Sequence, residues 1–308
     1  MRVAVVDIGT NSTRLFVADV APDAGVETIE RRSEVTRLGE GVDRAGRLTD
    51  EAMGRVHAVL DSYRSAIDEL HAEAAVAVLT SAVRDAANGS AFVDEVAKRH
   101  RLDARVITGD EEAELTFLGA VSERPHGAGV PTVVLDVGGG STELVVGTGR
   151  DMRFHVSTQV GVVRMTERHL HDDPPPAEAL AALRDDVRDA LDDGLPASER
   201  EDVCAAIAVA GTATSLAAID LALDPYDPDR VHGHVLSVSR IEELRDQLAA
   251  IRLAQRREVR GLHPDRAPTI VAGVVILLEA LAAFGLDTVE VSEHDILRGV
   301  ALRRAGAA

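Results

Sequence analysis

The chain has 308 residues, 45% apolar and 28% charged, a composition that excludes disordered, collagenous and coiled-coil classes and suits roughly two globular domains. Aromatic residues make up 2% and tryptophan is absent, which disfavours a nucleic-acid reader built on stacked bases. Basic residues number 33 and acidic residues 52, so the net charge is −19; this field repels nucleic acid and anionic membranes, and a polyanionic ligand would need a local positive site or a cation.

The first strand is predicted over Val3 to Val6, a second over Arg14 to Val20 after a polar glycine turn, and a third over Val26 to Arg32. Met53, Val56, Val59, Leu60, Tyr63, Ile67 and Leu70 have helical spacing within Thr49 to Leu70. A buried strand (Ala75 to Leu79), a helix (Ala91 to His100), a strand (Ala104 to Ile107) and a helix from Thr108 to about Val121 follow. The Gly- and Pro-rich stretch 123–131 marks a boundary. Beyond it come strands over Thr132 to Leu135, Glu143 to Gly147 and Met152 to Ser157, then a Pro-rich break at 172–176 and a long helix to about Leu191. Val203 to Val209 is a strand, and Gly211 to Thr214 leads into a helix. Helices over Glu242 to Arg256 and Ala267 to Phe284, a strand over Thr288 to Val291 and a helix over Ile296 to Arg304 close the chain. Strands alternating with helices indicate an α/β layered fold.

Cys204, the sole cysteine, excludes an internal disulfide and a cysteine zinc site; its apolar neighbours predict a buried strand position. The short apolar start, ended by Asp7, does not make a secretory leader, and no run of about 18 uncharged apolar residues could span a membrane. A cytoplasmic protein is expected. Every basic residue but Lys98 is arginine, which suits bidentate phosphate contacts, although a GC-rich coding bias accounts for the same excess.

An internal repeat is the most informative feature. Residues 3–17 lie over residues 132–146 without a gap, with seven of fifteen positions identical, including Asp7 over Asp136, Gly9 over Gly138 and Ser12 over Ser141. A period of 129 residues indicates duplicated domains. Each copy reads strand, Asp, any residue, Gly, polar turn, strand. Glycine permits a tight turn and close backbone approach to a ligand, successive N–H groups there form an anion-binding concavity, and the strand-end Asp can hold a hard cation directly or through water. Two such hairpins facing each other would clamp a phosphate chain from both sides.

Asp7-Ile-Gly-Thr-Asn-Ser12 and Asp136-Val-Gly-Gly-Gly-Ser-Thr-Glu143 resemble the paired phosphate loops of the actin/hexokinase/Hsp70 superfamily. The finer resemblance is to its exopolyphosphatase/guanosine-pentaphosphate phosphohydrolase (Ppx/GppA) branch. Further blocks that carry it are Thr80 to Ala86, Gly109 to Ala113, Leu115 to Gly119, Gly161 to Glu167, Gly211 to Thr214 and Ser292 to Gly299. The resemblance implies two duplicated actin-like (ribonuclease H-like) α/β domains around a cleft. Domain I would span 1–124 with a closing helix over 296–308, and domain II would span 125–295. It further implies a homodimer and a short form without the C-terminal HD-type domain of longer members.

Glu111 fits a capping box with Thr108, which leaves Glu112 to project elsewhere. The resemblance makes Glu112 the catalytic carboxylate that directs the attacking water. Arg84, a surface partner of Asp85 on the bland reading, is expected to clamp a phosphate oxygen. Thr10, Asn11, Ser12, Gly138, Gly139, Gly140 and Ser141 are the expected phosphate cradles. Gly211 and Thr212 start a helix and could place N–H donors on an anion, or meet a nucleoside. Asp136, Glu143 and Asp7 are the expected metal ligands, for magnesium or alternatively manganese. His232 and His234 are too close in sequence for a helical metal pair and suit loop hydrogen bonds. In the string Asp295-Ile-Leu-Arg-Gly299 the family pattern departs, which leaves the role of Arg298 open. Arg256, Arg257, Arg260, Arg303 and Arg304 form solvated helix faces or guide a polymer.

The expected activity is metal-dependent release of terminal orthophosphate from inorganic polyphosphate. Removal of the 5′ γ-phosphate from guanosine pentaphosphate is the alternative within the same chemistry. A kinase or ATPase of the wider superfamily is disfavoured by the Glu111-Glu112-Ala113 block, and a non-catalytic alarmone or polyphosphate sensor by the intact acids.

Overall fold

The computed structural model describes residues 1–21, 25–124 and 129–306. Two units divide the chain: Met1–Glu123 with Asp295–Ala308, and Arg124–His294. The boundary stretch foreseen at 123–131 includes residues 125–128, which lie outside the described residues, as do 307 and 308 of the closing helix.

The first unit contains β1 (Arg2–Ile8), β2 (Ser12–Ala21), β3 (Gly25–Val35), α1 (Val42–Ala45), α2 (Asp50–Glu69), β4 (Ala74–Leu79), α3 (Ser81–Asp85), α4 (Gly89–His100), β5 (Asp103–Val106) and α5 (Gly109–Ala120). Its sheet runs β3-β2-β1-β4-β5; β1 pairs antiparallel with β2 and parallel with β4. Alternation along β1 supplies both faces. Ala4, Val6 and Ile8 pack with Val56, Leu60, Tyr63 and Ile67 of α2 and Phe92 and Val96 of α4, while Val3 and Val5 face the other core. That second core is shared with Leu115 of α5 and with the closing helix, Ile296–Ala305, through Leu297, Val300 and Ala301.

The second unit contains β6 (Thr132–Val137), β7 (Thr142–Thr148), β8 (Asp151–Thr158), α6 (Val162–His169), α7 (Ala177–Gly194), β9 (Ala205–Val209), α8 (Ala210–Asp220), α9 (Pro228–Val231), β10 (Val235–Ser237), α10 (Val238–Ala250), α11 (Leu253–Arg256), α12 (Ile270–Ala283) and β11 (Thr288–Val291); the closing helix is α13. Its sheet runs β8-β7-β6-β9-β11-β10. The first five strands reproduce the order and directions of the first unit's sheet, and β10 is an added antiparallel edge. The duplication expected from the repeat, and the ribonuclease H-like arrangement that the resemblance implies, are therefore present in both units.

Three local expectations are corrected. Cys204 is exposed, because β9 begins at Ala205; its Sγ lies 3.2 Å from the Asp202 carbonyl. The helical pattern over Glu242 to Arg256 breaks at Ile251 and Arg252, both extended, and yields two helices. Arg256 is no solvated residue: it is buried, and its guanidinium donates to the carbonyls of Leu248, Ile251 and Ala267, closing the break. No helix among the described residues is long and apolar enough to cross a membrane.

Candidate functional site

Within each sheet the repeat motif falls where parallel strands end together, the place where open α/β sheets receive ligands. Ile8 pairs with Leu79 and Leu79 with Val106, so the β1–β2 loop, α3 and the start of α5 leave the first sheet at one end. Asp136 pairs with Val209, so the β6–β7 loop and the start of α8 leave the second sheet at one end.

The two loops close alike. Gly9 N–H donates to the Ser12 carbonyl at 2.9 Å, and Gly138 N–H to the Ser141 carbonyl at 3.0 Å. A Cβ at Gly138 would lie 2.9 Å from that carbonyl oxygen, closer than a side chain is found, and one at Gly9 would lie 3.1 Å from it, a tight contact. The remaining carbonyls are tied back into the fold. In the first loop the Thr10 carbonyl accepts from Gly39 N–H at 2.8 Å, and the Asn11 carbonyl from Thr36 and Arg37 N–H at 3.0 and 2.9 Å. In the second, the Gly138 carbonyl accepts from Val162 N–H at 2.9 Å and the Gly139 carbonyl from Val163 N–H at 2.8 Å. A trans peptide points its C=O and N–H in opposite directions, so fixing these carbonyls aims the next N–H groups out of the fold. Among the described residues, the N–H groups of Asn11, Gly139, Gly140 and Ser141 meet no protein acceptor. Outward N–H groups in succession are the physical basis of an anion cradle.

In the first unit the predicted residues form a connected set. Thr10 is buried, and its hydroxyl is used inside the protein, 2.8 Å from Ser81 Oγ and accepting from Ala82 N–H at 3.2 Å. That hydroxyl joins the loop to α3, so what Thr10 has for a phosphate lies in its place in the loop backbone. The half-buried side chains of Asn11 and Ser12 have no protein hydrogen-bond partner among the described residues. Arg84, at the end of α3, reaches past Asp85 to the Ile107 carbonyl at 3.0 Å and Glu112 Oε2 at 3.2 Å. Glu112 is buried in the first turn of α5. Thr108 caps that helix by accepting from Glu111 N–H at 3.1 Å, but the Glu111 carboxylate leaves the expected capping box for Arg105, 2.6 Å away. Arg105 holds the Glu111 carboxyl below its ordinary range.

The strand-end acids differ between the copies. Asp7 stands opposite Arg14 across β1 and β2, whereas Asp136 stands opposite Glu143 across β6 and β7. Asp7 Oδ2 accepts from Arg14 Nη2 at 2.6 Å, and Arg14 Nη1 also bonds Asp295, the N-cap of α13, which Arg31 approaches at 3.4 Å. Burial raises the Asp7 carboxyl against the pull of Arg14; burial acts on Asp295 too, but Arg14 and Arg31 outweigh it and hold that carboxyl low. The expected metal role of Asp7 is therefore narrowed to one atom, because Oδ2 is taken and Oδ1 is buried without a partner. Asp136 and Glu143 are both buried carboxylates set directly opposite, and like charges there repel. Ser157 Oγ donates to Glu143 Oε1 at 2.8 Å. This all-oxygen pair suits a hard divalent cation.

Gly211 and Thr212 are not simply presented to a ligand. The Arg266 guanidinium covers Gly211, where a Cβ would fall on it, and Thr212 is buried against Gly273 of α12. Ala210, at the start of α8, adopts the left-handed φ of 64°. His232 Nδ1 accepts from Glu293 N–H at 3.2 Å, and His234 lies 2.8 Å from Asp220 Oδ2, so both histidines serve as hydrogen-bonding groups. Arg298 is buried and bonds Ser122 and Glu123. Ser81, Arg14, Ser157, Arg164 and Arg266 were not singled out from sequence. Ser81 and Arg164 fall inside the family-like blocks 80–86 and 161–167, and the alignment of Arg14 over Glu143 contains the charge reversal.

A family model described as the Ppx/GppA phosphatase family matches residues 16–307. Exopolyphosphatase 2 of Mycobacterium tuberculosis is 38% identical over 99% of this chain and 99% of its own length. The crystal structure of the Aquifex aeolicus Ppx/GppA family member is 33% identical with a TM-score of 0.82, covering 99% of this chain and 97% of that one. An exopolyphosphatase from Cytophaga hutchinsonii is 25% identical with a TM-score of 0.88, covering 99% and 98%.

Proposed function

Since the chain belongs to the Ppx/GppA phosphatase family, we propose that it is an exopolyphosphatase, a hydrolase that releases terminal orthophosphate from inorganic polyphosphate. The observation that carries this reading is the pair of glycine loops whose carbonyls are tied back and whose N–H groups face outward. Such donors suit the equatorial oxygens of a phosphoryl group, on which charge is spread during transfer.

Glu112 acts as the base. Its carboxylate accepts a proton from the attacking water while the terminal phosphoanhydride P–O bond breaks, leaving orthophosphate and a chain one unit shorter. Arg84 orients that carboxylate through Nη1, and the remainder of its guanidinium is suited to a phosphoryl oxygen. Asp136 and Glu143 would hold a divalent cation, magnesium or in its place manganese, which when bound offsets negative charge on the phosphate oxygens. Asp7 has only Oδ1 to offer to a cation or its water.

The exopolyphosphatase relatives favour the polymer over guanosine pentaphosphate as this chain's substrate. The test is orthophosphate release by the purified chain from long-chain polyphosphate, guanosine pentaphosphate and ATP, with magnesium or with a chelator. Magnesium-dependent release fastest from polyphosphate is expected. Binding without release would move the protein to the sensor class, and faster release from guanosine pentaphosphate would reverse the substrate order.

A further inference from the structure

We propose that the segment Gly161–Arg164 is a positioning element for the second glycine loop, with Arg164 as its side-chain contributor; this rests on the phosphate-cradle reading above. The three loop peptides run Gly138–Gly139, Gly139–Gly140 and Gly140–Ser141. The first carbonyl accepts from Val162 N–H at 2.9 Å, the second from Val163 N–H at 2.8 Å and Arg164 N–H at 3.4 Å, and the third from Arg164 Nε at 3.0 Å. All three carbonyls therefore face one short segment, and the N–H groups of Gly139, Gly140 and Ser141 face away from it.

Backbone alone serves the first two peptides, because the first turn of α6 has N–H groups without intrahelical partners. Its reach ends there. The third peptide, which carries Ser141 N–H, is held only by the guanidinium among the described residues. A charged donor on that carbonyl also polarises the peptide, so Ser141 N–H becomes a stronger donor to an anion on the other side. Gly161 makes the approach possible, since a Cβ there would fall on the Gly139 carbonyl and the Gly140 carbonyl carbon. The first loop obtains the same polarity from backbone alone, through Thr36, Arg37 and Gly39. Among the described residues and the loop carbonyls with a partner, Arg164 is thus the one side chain that sets the direction of a loop amide.

Arg164 is half-buried at the edge of its helix, so its replacement should leave a folded protein. The test compares wild type, Arg164→Met and Arg164→Lys in orthophosphate release from long-chain polyphosphate, with thermal melts of each. Arg164→Met is expected to raise KM about 10-fold with kcat within about 2-fold, since ground-state and transition-state oxygens lose the same donor. Arg164→Lys, which can still donate to the Gly140 carbonyl, should recover at least half of that change on a logarithmic scale. Gly161→Ala should raise KM in the same direction wherever it folds. An unchanged KM in Arg164→Met overturns the assignment, as does a loss that follows the melting temperature and that Lys does not rescue. A wild-type protein that releases no phosphate would instead refute the function on which the proposal rests.

Discussion

Replacing Glu112 by Gln separates chemistry from folding. The substitution keeps shape and burial but removes the negative charge beside Arg84, 3.2 Å away, with side-chain exposures of 11% and 23%. Arg84 retains its bond to the Ile107 carbonyl and partial access to water, so the lost pair costs about 1 kcal/mol, the upper end for pairs that water reaches. For a chain of this size that lowers the melting temperature by roughly 2–4 °C. Loss of a general base costs about 10²-fold or more in turnover, equivalent to about 2.7 kcal/mol of barrier. The two effects are read separately, kcat from orthophosphate release with polyphosphate and magnesium, and stability from the melt. Turnover within about 3-fold of wild type would refute the assignment of Glu112 whatever the melt shows.

Asp136→Asn removes one of two facing carboxylates, so stability should hold or rise by a few tenths of a kcal/mol while the magnesium concentration for half-maximal release rises about 10-fold; an unmoved magnesium titration would contradict cation binding there. Arg14→Met leaves the buried carboxylates of Asp7 and Asp295 without their shared guanidinium and should cost about 3–5 kcal/mol in denaturant unfolding, where a loss below about 1 kcal/mol would contradict the buried-pair reading. His100 is 1% exposed, lies 2.9 Å from His57, and is pushed down to about 4 from 6.5, first by burial and then by His57. Between those two values the unfolded chain binds a proton that the folded chain refuses, so stability should fall as pH drops from about 6.5 to about 4. Denaturant midpoints across that window should fall less steeply in His100→Asn, and parallel slopes would contradict the assignment.

The parts of the molecule legible in sequence are those fixed by local chemistry. Short apolar runs bounded by polar or glycine-rich turns marked most of the strands, and the gapless match of 3–17 on 132–146 pointed to the duplicated sheets because residues directly after a strand determine its turn. What stayed hidden depends on partners far along the chain. The polarity of the loops is set by Gly39 and by Gly161 to Arg164, more than twenty residues away, and nothing local to Gly138–Ser141 shows where their carbonyls go. The hydroxyl of Thr10 resembles a phosphate donor until Ser81, brought alongside by β4, is seen to occupy it. Cys204 lay in an apolar run, Val203 to Val209, that began two residues before the strand does. Arg256 ended an apparently unbroken helical pattern, yet its guanidinium satisfies the carbonyls of a break that periodicity cannot register.

The amide resonances of the glycine loops test the central claim most directly. With the Glu112→Gln protein bound to long-chain polyphosphate, the N–H signals of Asn11, Gly139, Gly140 and Ser141 should move downfield and saturate together as the polymer is added, as amides do on meeting phosphate oxygens. If the polymer binds while those four signals stay in place, the loops are ordinary hairpins and the account is wrong.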